Sequence, residues 1–159
     1  MKFKILNWKL KVISLIFLLI KGLCVDQIVK YFVVQKIPVG KAYPIIKGVF
    51  SVTHLQNDGA AWSILAGQQW FFILTTVIVL GFAVWFLIQN FSKHWYAFGL
   101  TLIISGALGN FIDRLHQGYV VDMFQLDFIN FPIFNVADVL LTVGFAALMI
   151  GILIEKDEA

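Results

Sequence analysis

Residues 69–89 read QWFFILTTVIVLGFAVWFLIQ, a run without a single charged side chain. A helix needs about 20 consecutive apolar residues to cross a ~30 Å hydrocarbon core, and in lipid only a helix satisfies its own backbone over one segment. Outward from this span, three further apolar runs cover about 10–29, 95–112 and 131–154. Trp70, Trp85, Trp95, Tyr96 and Phe131 lie mostly near segment ends, where interfacial aromatics collect. The chain of 159 residues is 60% hydrophobic, 16% aromatic and 13% charged, whereas soluble domains carry roughly 25% charged residues. The pattern predicts an all-α polytopic membrane protein with four transmembrane helices, a single domain over 1–159, and long connections at 30–68 and 113–130.

Seven of the twelve basic residues fall in the first 36 positions, a distribution that suits membrane orientation and not nucleic-acid binding. Lys2, Lys4, Lys9 and Lys11 precede the first span and favour a cytoplasmic N-terminus. Four spans then return the C-terminus to the same side and place both long connections on the other. The start, MKFKILNWKLKVISLIFLLIKGLC, imitates a lipoprotein signal peptide, but Leu23 before the cysteine is bulky and Lys21 breaks the apolar run. It reads as an uncleaved first helix. Cys24 is the lone cysteine, so no internal disulfide forms.

In the 30–68 connection, KGVFSVTHLQNDGAAWSIL opens with β-branched and aromatic residues and reaches Asn-Asp-Gly, a turn signal. Pro38 and Pro44 disfavour a helix before it. A small sheet on the extracytoplasmic membrane surface is expected, joined to the second helix by an amphipathic stretch.

Charges within a span cost about 2.5–3.5 kcal/mol each, so they face a partner or an aqueous pocket. Asp26 and Lys30 are four residues apart and share a helix face, either as a structural ion pair or as a pair lining a site. Lys21, nearer mid-span, has no partner within its own helix. In GALGNFIDRLHQG, 106–118, Asn110, Asp113 and Arg114 share a face, and Gly106 and Gly109 admit a neighbouring helix. Arg114 is the only arginine. It is either a planar fork for a carboxylate or phosphate, or an anchor that snorkels to the interface.

GYVVDMFQLDFINFPIFNVADVLL, 118–141, places Asp122 in the second long connection and Asp138 beyond the start of the fourth apolar run, with Asn135 one helical step before it. The connection is short enough for Asp122 to fold over the mouth of the bundle toward Asp138. Two carboxylates in a low-dielectric setting split one proton between them, the arrangement that lets one activate water while the other polarises a carbonyl. From the pattern alone, a catalytic dyad, a proton or ion relay and a structural pair all stand. A Ser63–His54–Asp triad lacks a nucleophile turn, the three histidines lack metal-ligand spacing, and no glycine-rich phosphate loop occurs.

Five ordered blocks, DQIVK at 26–30, NDGAAWS at 57–63, GALGNFIDRL at 106–115, GYVVD at 118–122 and FNVAD at 134–138, carry a resemblance over nearly the whole chain. Together they resemble the lipoprotein signal peptidases (signal peptidase II), bacterial inner-membrane aspartic peptidases. The resemblance implies Asp122 and Asp138 as the catalytic pair. It also implies Asn57, Gly59, Asn110, Arg114 and Asn135 as substrate-pocket residues, and Asp26, Lys30 and Asp113 as supports. No cofactor or metal is implied. The implied substrate is a prolipoprotein signal peptide whose lipobox cysteine carries diacylglycerol, cut just before that cysteine near the outer leaflet. Inhibition by globomycin-type cyclic peptides, contact with membrane lipid and a monomeric state are implied as well. Lys21 and Trp62, where another aromatic is expected, depart from the family pattern.

Overall fold

The computed structural model describes residues 2–157; Met1, Glu158 and Ala159 of the expected 1–159 unit lie outside the described residues. Its elements run α1 (Lys2–Lys36), β1 (Ala42–Ile46), β2 (Phe50–Asn57), α2 (Gln69–Gln89), α3 (His94–Gln117), β3 (Val120–Leu126) and α4 (Val136–Asp157). Four of these helices are long and apolar enough to cross a membrane, over Trp8–Lys36, Gln69–Gln89, His94–Gln117 and Val136–Ile154.

The central helix is α3. It buries small residues along much of its length, among them Ala97, Gly99, Ser105, Gly106 and Gly109, and α1, α2 and α4 pack around it. Without a hydrophobic driving force between helices in lipid, close backbone approach through small residues is what holds such a bundle. Gly99 and Gly144 show the approach best: a Cβ on either would stand 2.6 Å from the carbonyl oxygen of the other. The outward faces of α1, α2 and α4 remain apolar and exposed, as with Phe17, Ile78, Phe82 and Phe145.

Several helix ends differ from the sequence expectation: the first helix already begins at Lys2, ahead of residue 10, and the fourth runs on to Asp157. The first helix continues past Val29 to Lys36 and the third past Ile112 to Gln117, because Asp26, Lys30 and Asp113 interrupt the apolar run without interrupting the helix; each points into the bundle and is buried. The fourth begins at Val136 and not at 131. Phe134 pairs with Phe124 across an isolated bridge, which holds residues 131–134 extended beside β3. Asp138 is therefore the third residue of its helix, and not seven residues into it.

The sheet is antiparallel in the order β1-β2-β3. Its first two strands come from the 30–68 connection, as expected, and the third comes from the 113–130 connection. Gly118 makes this possible: at φ 76° it caps α3 in the left-handed conformation and turns the chain into β3 after one further residue. Between β2 and α2, a short 3-10 turn over Ala61–Ser63 leaves Trp62, Ile64 and Leu65 exposed.

Candidate active site

Asp122 lies on β3 opposite Leu55 of β2, while Asn57 pairs with Val120, two residues back. In an antiparallel ladder that diagonal puts Asn57 and Asp122 on one face and within side-chain reach. The Asn57 amide Nδ2 donates to Asp122 Oδ2 at 2.8 Å, and its Oδ1 accepts the Gly59 N–H at 3.0 Å, which ties the following turn to the same point.

Asp138 is held by the start of α4. Asn135 precedes the helix and caps it: its Oδ1 accepts the Asp138 N–H at 3.0 Å while Asp138 Oδ2 accepts the Asn135 N–H at 3.1 Å. This reciprocal pair is the capping-box arrangement, with an aspartate at the third helical position. The Asn135 Nδ2 then reaches across to Asp122 Oδ1 at 2.6 Å. One fully buried asparagine thus touches both aspartates. Asn110 on α3 completes the set by donating to Asp138 Oδ1 at 2.8 Å.

Behind the aspartates lies a buried charge network. Lys30, 3% exposed, sits 2.8 Å from Asp26 and 2.9 Å from Asp113, and donates to Asn110 Oδ1 at 3.0 Å. The two carboxylates do more than neutralise it. Asp26 Oδ1 accepts the backbone N–H of Ala137, and Asp113 Oδ2 accepts that of Val121, at 2.8 and 3.2 Å. Each supporting carboxylate therefore fixes the residue immediately before one of the two candidate aspartates. Gln27 joins the group through its amide to Asp26, Asp113 and the Gly109 carbonyl. Gly109 must lack a side chain, because a Cβ there would stand 2.5 Å from Asp26 Oδ2.

Asn57, Gly59, Asn110, Arg114, Asp122, Asn135 and Asp138 all line one cavity of about 220 Å³. Asp26, Lys30 and Asp113 do not line it; they lie beneath, as supports. Arg114 stands over the Phe72 ring at 4.7 Å and donates from one terminal nitrogen to the Gly59 carbonyl at 3.0 Å, while its Nε is buried without a partner. Burial, and then the Asp138 charge, push the Asp122 carboxyl up from its ordinary 3.8 to about 7, against the opposing hydrogen bonds from Asn57 and Asn135. A pair so placed can hold one proton near neutral pH, with water or a carbonyl between the two oxygens. Among the described residues no group of three or more His, Cys, Asp or Glu is arranged to hold a metal ion.

Three features of the site escape the sequence reading. Phe131, Pro132 and Ile133 form an apolar wall of the cavity, but in sequence they look like the beginning of a span. Phe72 is one apolar residue among many in α2. Gln27 had a signal, its place inside the DQIVK block.

The sequence profile of the family described as Signal peptidase (SPase) II matches residues 16–154. The lipoprotein signal peptidase of Lactococcus lactis subsp. lactis (strain IL1403) is 55% identical over 147 residues, covering 92% of this chain and 97% of that protein. That of Streptococcus pneumoniae (strain ATCC BAA-255 / R6) is 52% identical over 149 residues, 93% and 96% of the two chains. Among solved structures, a bacterial membrane enzyme at 2.3 Å resolution superposes with a TM-score of 0.84 at 34% identity, covering 91% of this chain and 90% of its own. A second, at 1.9 Å, gives 0.80 at 35% identity, with 88% and 92% covered.

Proposed function

This chain belongs to the signal peptidase II family, bacterial multi-pass membrane proteases of lipoprotein maturation, and we propose that it acts as an aspartic endopeptidase with Asp122 and Asp138 as its catalytic pair. The observation that carries the proposal is the convergence of these two carboxylates, one from a strand and one from a helix start, on one cavity through a shared asparagine. The substrate is a prolipoprotein whose signal peptide ends at a diacylglyceryl-modified cysteine, and the bond cut is the one just before that cysteine.

In the resting pair the proton resides on Asp122, the more enclosed carboxyl, and Asp138 is the base. Asp138 lies in the first turn of α4 among N–H donors, a position that suits a negative charge. Asp138 takes a proton from a water molecule as its oxygen adds to the scissile carbonyl carbon. Asp122 donates its proton to the oxygen that develops negative charge. When the tetrahedral intermediate collapses, Asp122 recovers that proton and Asp138 passes its own to the leaving amine of the lipidated cysteine. No cofactor takes part.

Asn57, Asn110 and Asn135 hold the two carboxyls in place while presenting the cavity wall to the extended peptide. The Arg114 side chain and the Gly59 turn, both on the cavity wall, offer the polar contact that a peptide backbone needs where no lipid group can supply it. The apolar wall at Phe131–Ile133 suits the acyl chains and the apolar signal peptide, which arrive sideways from the membrane. In this reading both termini are cytoplasmic, the sheet and cavity lie at the outer leaflet of the inner membrane, and the enzyme works as a monomer. Globomycin-type cyclic peptides compete for the cavity.

The test is cleavage of a purified, diacylglyceryl-modified lipobox peptide by the purified chain in detergent with chelator present, the products mapped by mass spectrometry. A single cut before the lipidated cysteine is expected. A cut elsewhere, equal cleavage of the unlipidated peptide, or loss of activity on chelation contradicts the proposal.

A further inference from the structure

Lys21 has no part in the site. Its neighbour Gly22 faces α3 and α4, with Ser105 and Leu140 against it, whereas Lys21 is exposed on the outward face of α1. That face is otherwise apolar: Ile13, Phe17 and Ile20 lie on one side of it along the helix, and Val25, Ile28 and Phe32 on the other, all exposed. Among the described residues no hydrogen-bond or ion-pair partner meets the Lys21 ammonium.

Its depth removes the usual escape. Lys11 donates to the Ser92 carbonyl in the α2–α3 connection at 3.1 Å and so marks one edge of the bundle. Lys21 is ten residues further along α1, about 15 Å at 1.5 Å per residue, which is half of a ~30 Å hydrocarbon core. Exposed apolar residues continue beyond it to Val34. A lysine stem reaches about one helical turn, ~5.4 Å, well short of either surface. A cation left there, facing acyl chains, is strongly unfavourable unless a carboxylate meets it.

The chain cannot supply that carboxylate to a second copy of itself. Among the described residues the acidic side chains within the spans are Asp26, Asp113 and Asp138, all engaged inside the bundle. A lipid headgroup does not sit at mid-bilayer. We propose that the Lys21 face of α1 docks a different membrane protein, through a transmembrane helix that carries an aspartate or glutamate at mid-bilayer depth.

Cys24, the only cysteine in the sequence, is exposed three residues from Lys21 and serves as the reporter position. The full chain, spin-labelled at Cys24 in phosphatidylcholine vesicles, is mixed with a synthetic Leu/Ala transmembrane helix bearing one central glutamate, or with its glutamine counterpart. The glutamate helix is expected to lower the oxygen accessibility of the label roughly twofold, and the glutamine helix to leave it unchanged. Lys21→Met should abolish the response and Lys21→Arg preserve it, both with the wild-type melting temperature. Equal response to both helices, no response to the glutamate helix, or an unchanged response in Lys21→Met overturns the proposal. Spin–spin broadening of the labelled chain without any added helix would mean that a second copy covers this face, and overturns it too.

Discussion

Asp122 is 2% exposed, and its burial beside Asp138 raises its carboxyl to about 7. Between its ordinary 3.8 and that value the folded chain keeps a proton that the unfolded chain has released. Stability therefore falls as pH rises through that window. The melting temperature of the wild type should drop relative to that of Asp122→Asn from about pH 4 to pH 7; parallel curves would contradict the raised carboxyl. For the same reason kcat should decline as pH rises through about 7, where the pair gives up its shared proton. At this scale the sequence was most legible for charged residues. Asp122, Asp138, Asn110, Arg114 and Asn135 are polar groups in or beside apolar spans, and their placement draws notice, whereas Asn57 in its turn was reached only through the family resemblance. Phe72 and Phe131–Ile133 also border the site, yet nothing separates them in sequence from the other phenylalanines and a span's worth of aliphatic neighbours.

The helices were legible as apolar runs, and α2 down to both its ends, but the ends of α1, α3 and α4 were not. A run ends where polarity begins, and a helix ends where its backbone loses partners, and in α1 and α3 those places differ by a turn or more because the polar residues are buried and paired. The start of α4 shows the converse: Phe131–Phe134 are apolar yet extended, and Asn135 sets the boundary by capping. Asn135→Ala should cost about 1 kcal/mol of stability as a lost cap. It should also lower kcat far more than that loss implies, since both aspartates lose a hydrogen bond; an enzyme merely less stable, with unchanged kcat, would contradict the bridging role. The α3–α4 contact makes an independent prediction. Gly99→Ala and Gly144→Ala each drive a methyl into a backbone carbonyl across the interface. Each should lower the melting temperature by several degrees, as a 1–3 kcal/mol overpacking penalty does, and unfolding scans in detergent check this.

At the scale of the whole molecule, Lys30 joins what the chain brings from far apart. Through Asp26, Asp113 and Asn110 it connects α1 and α3 to the backbone before both Asp122 and Asp138. The joining could not be read from a pattern, because the pairing of Asp26 with Ala137 spans 111 residues; the i, i+4 pair Asp26–Lys30 and the shared face of Asn110 and Asp113 were visible, each within its own helix. The third strand was hidden likewise, since Val120–Leu126 becomes a strand by finding β2. Lys30→Met leaves two buried carboxylates without their cation and should cost about 3–5 kcal/mol, seen as a large fall in melting temperature together with loss of activity. The role of the pair itself is tested most directly by Asp122→Asn and Asp138→Asn, each purified folded and assayed against the diacylglyceryl-modified peptide under single-turnover conditions, with peptide binding measured alongside. Retained binding with cleavage lost in both variants is the predicted result; substantial turnover by either folded variant would contradict the assignment of the two aspartates as the catalytic pair.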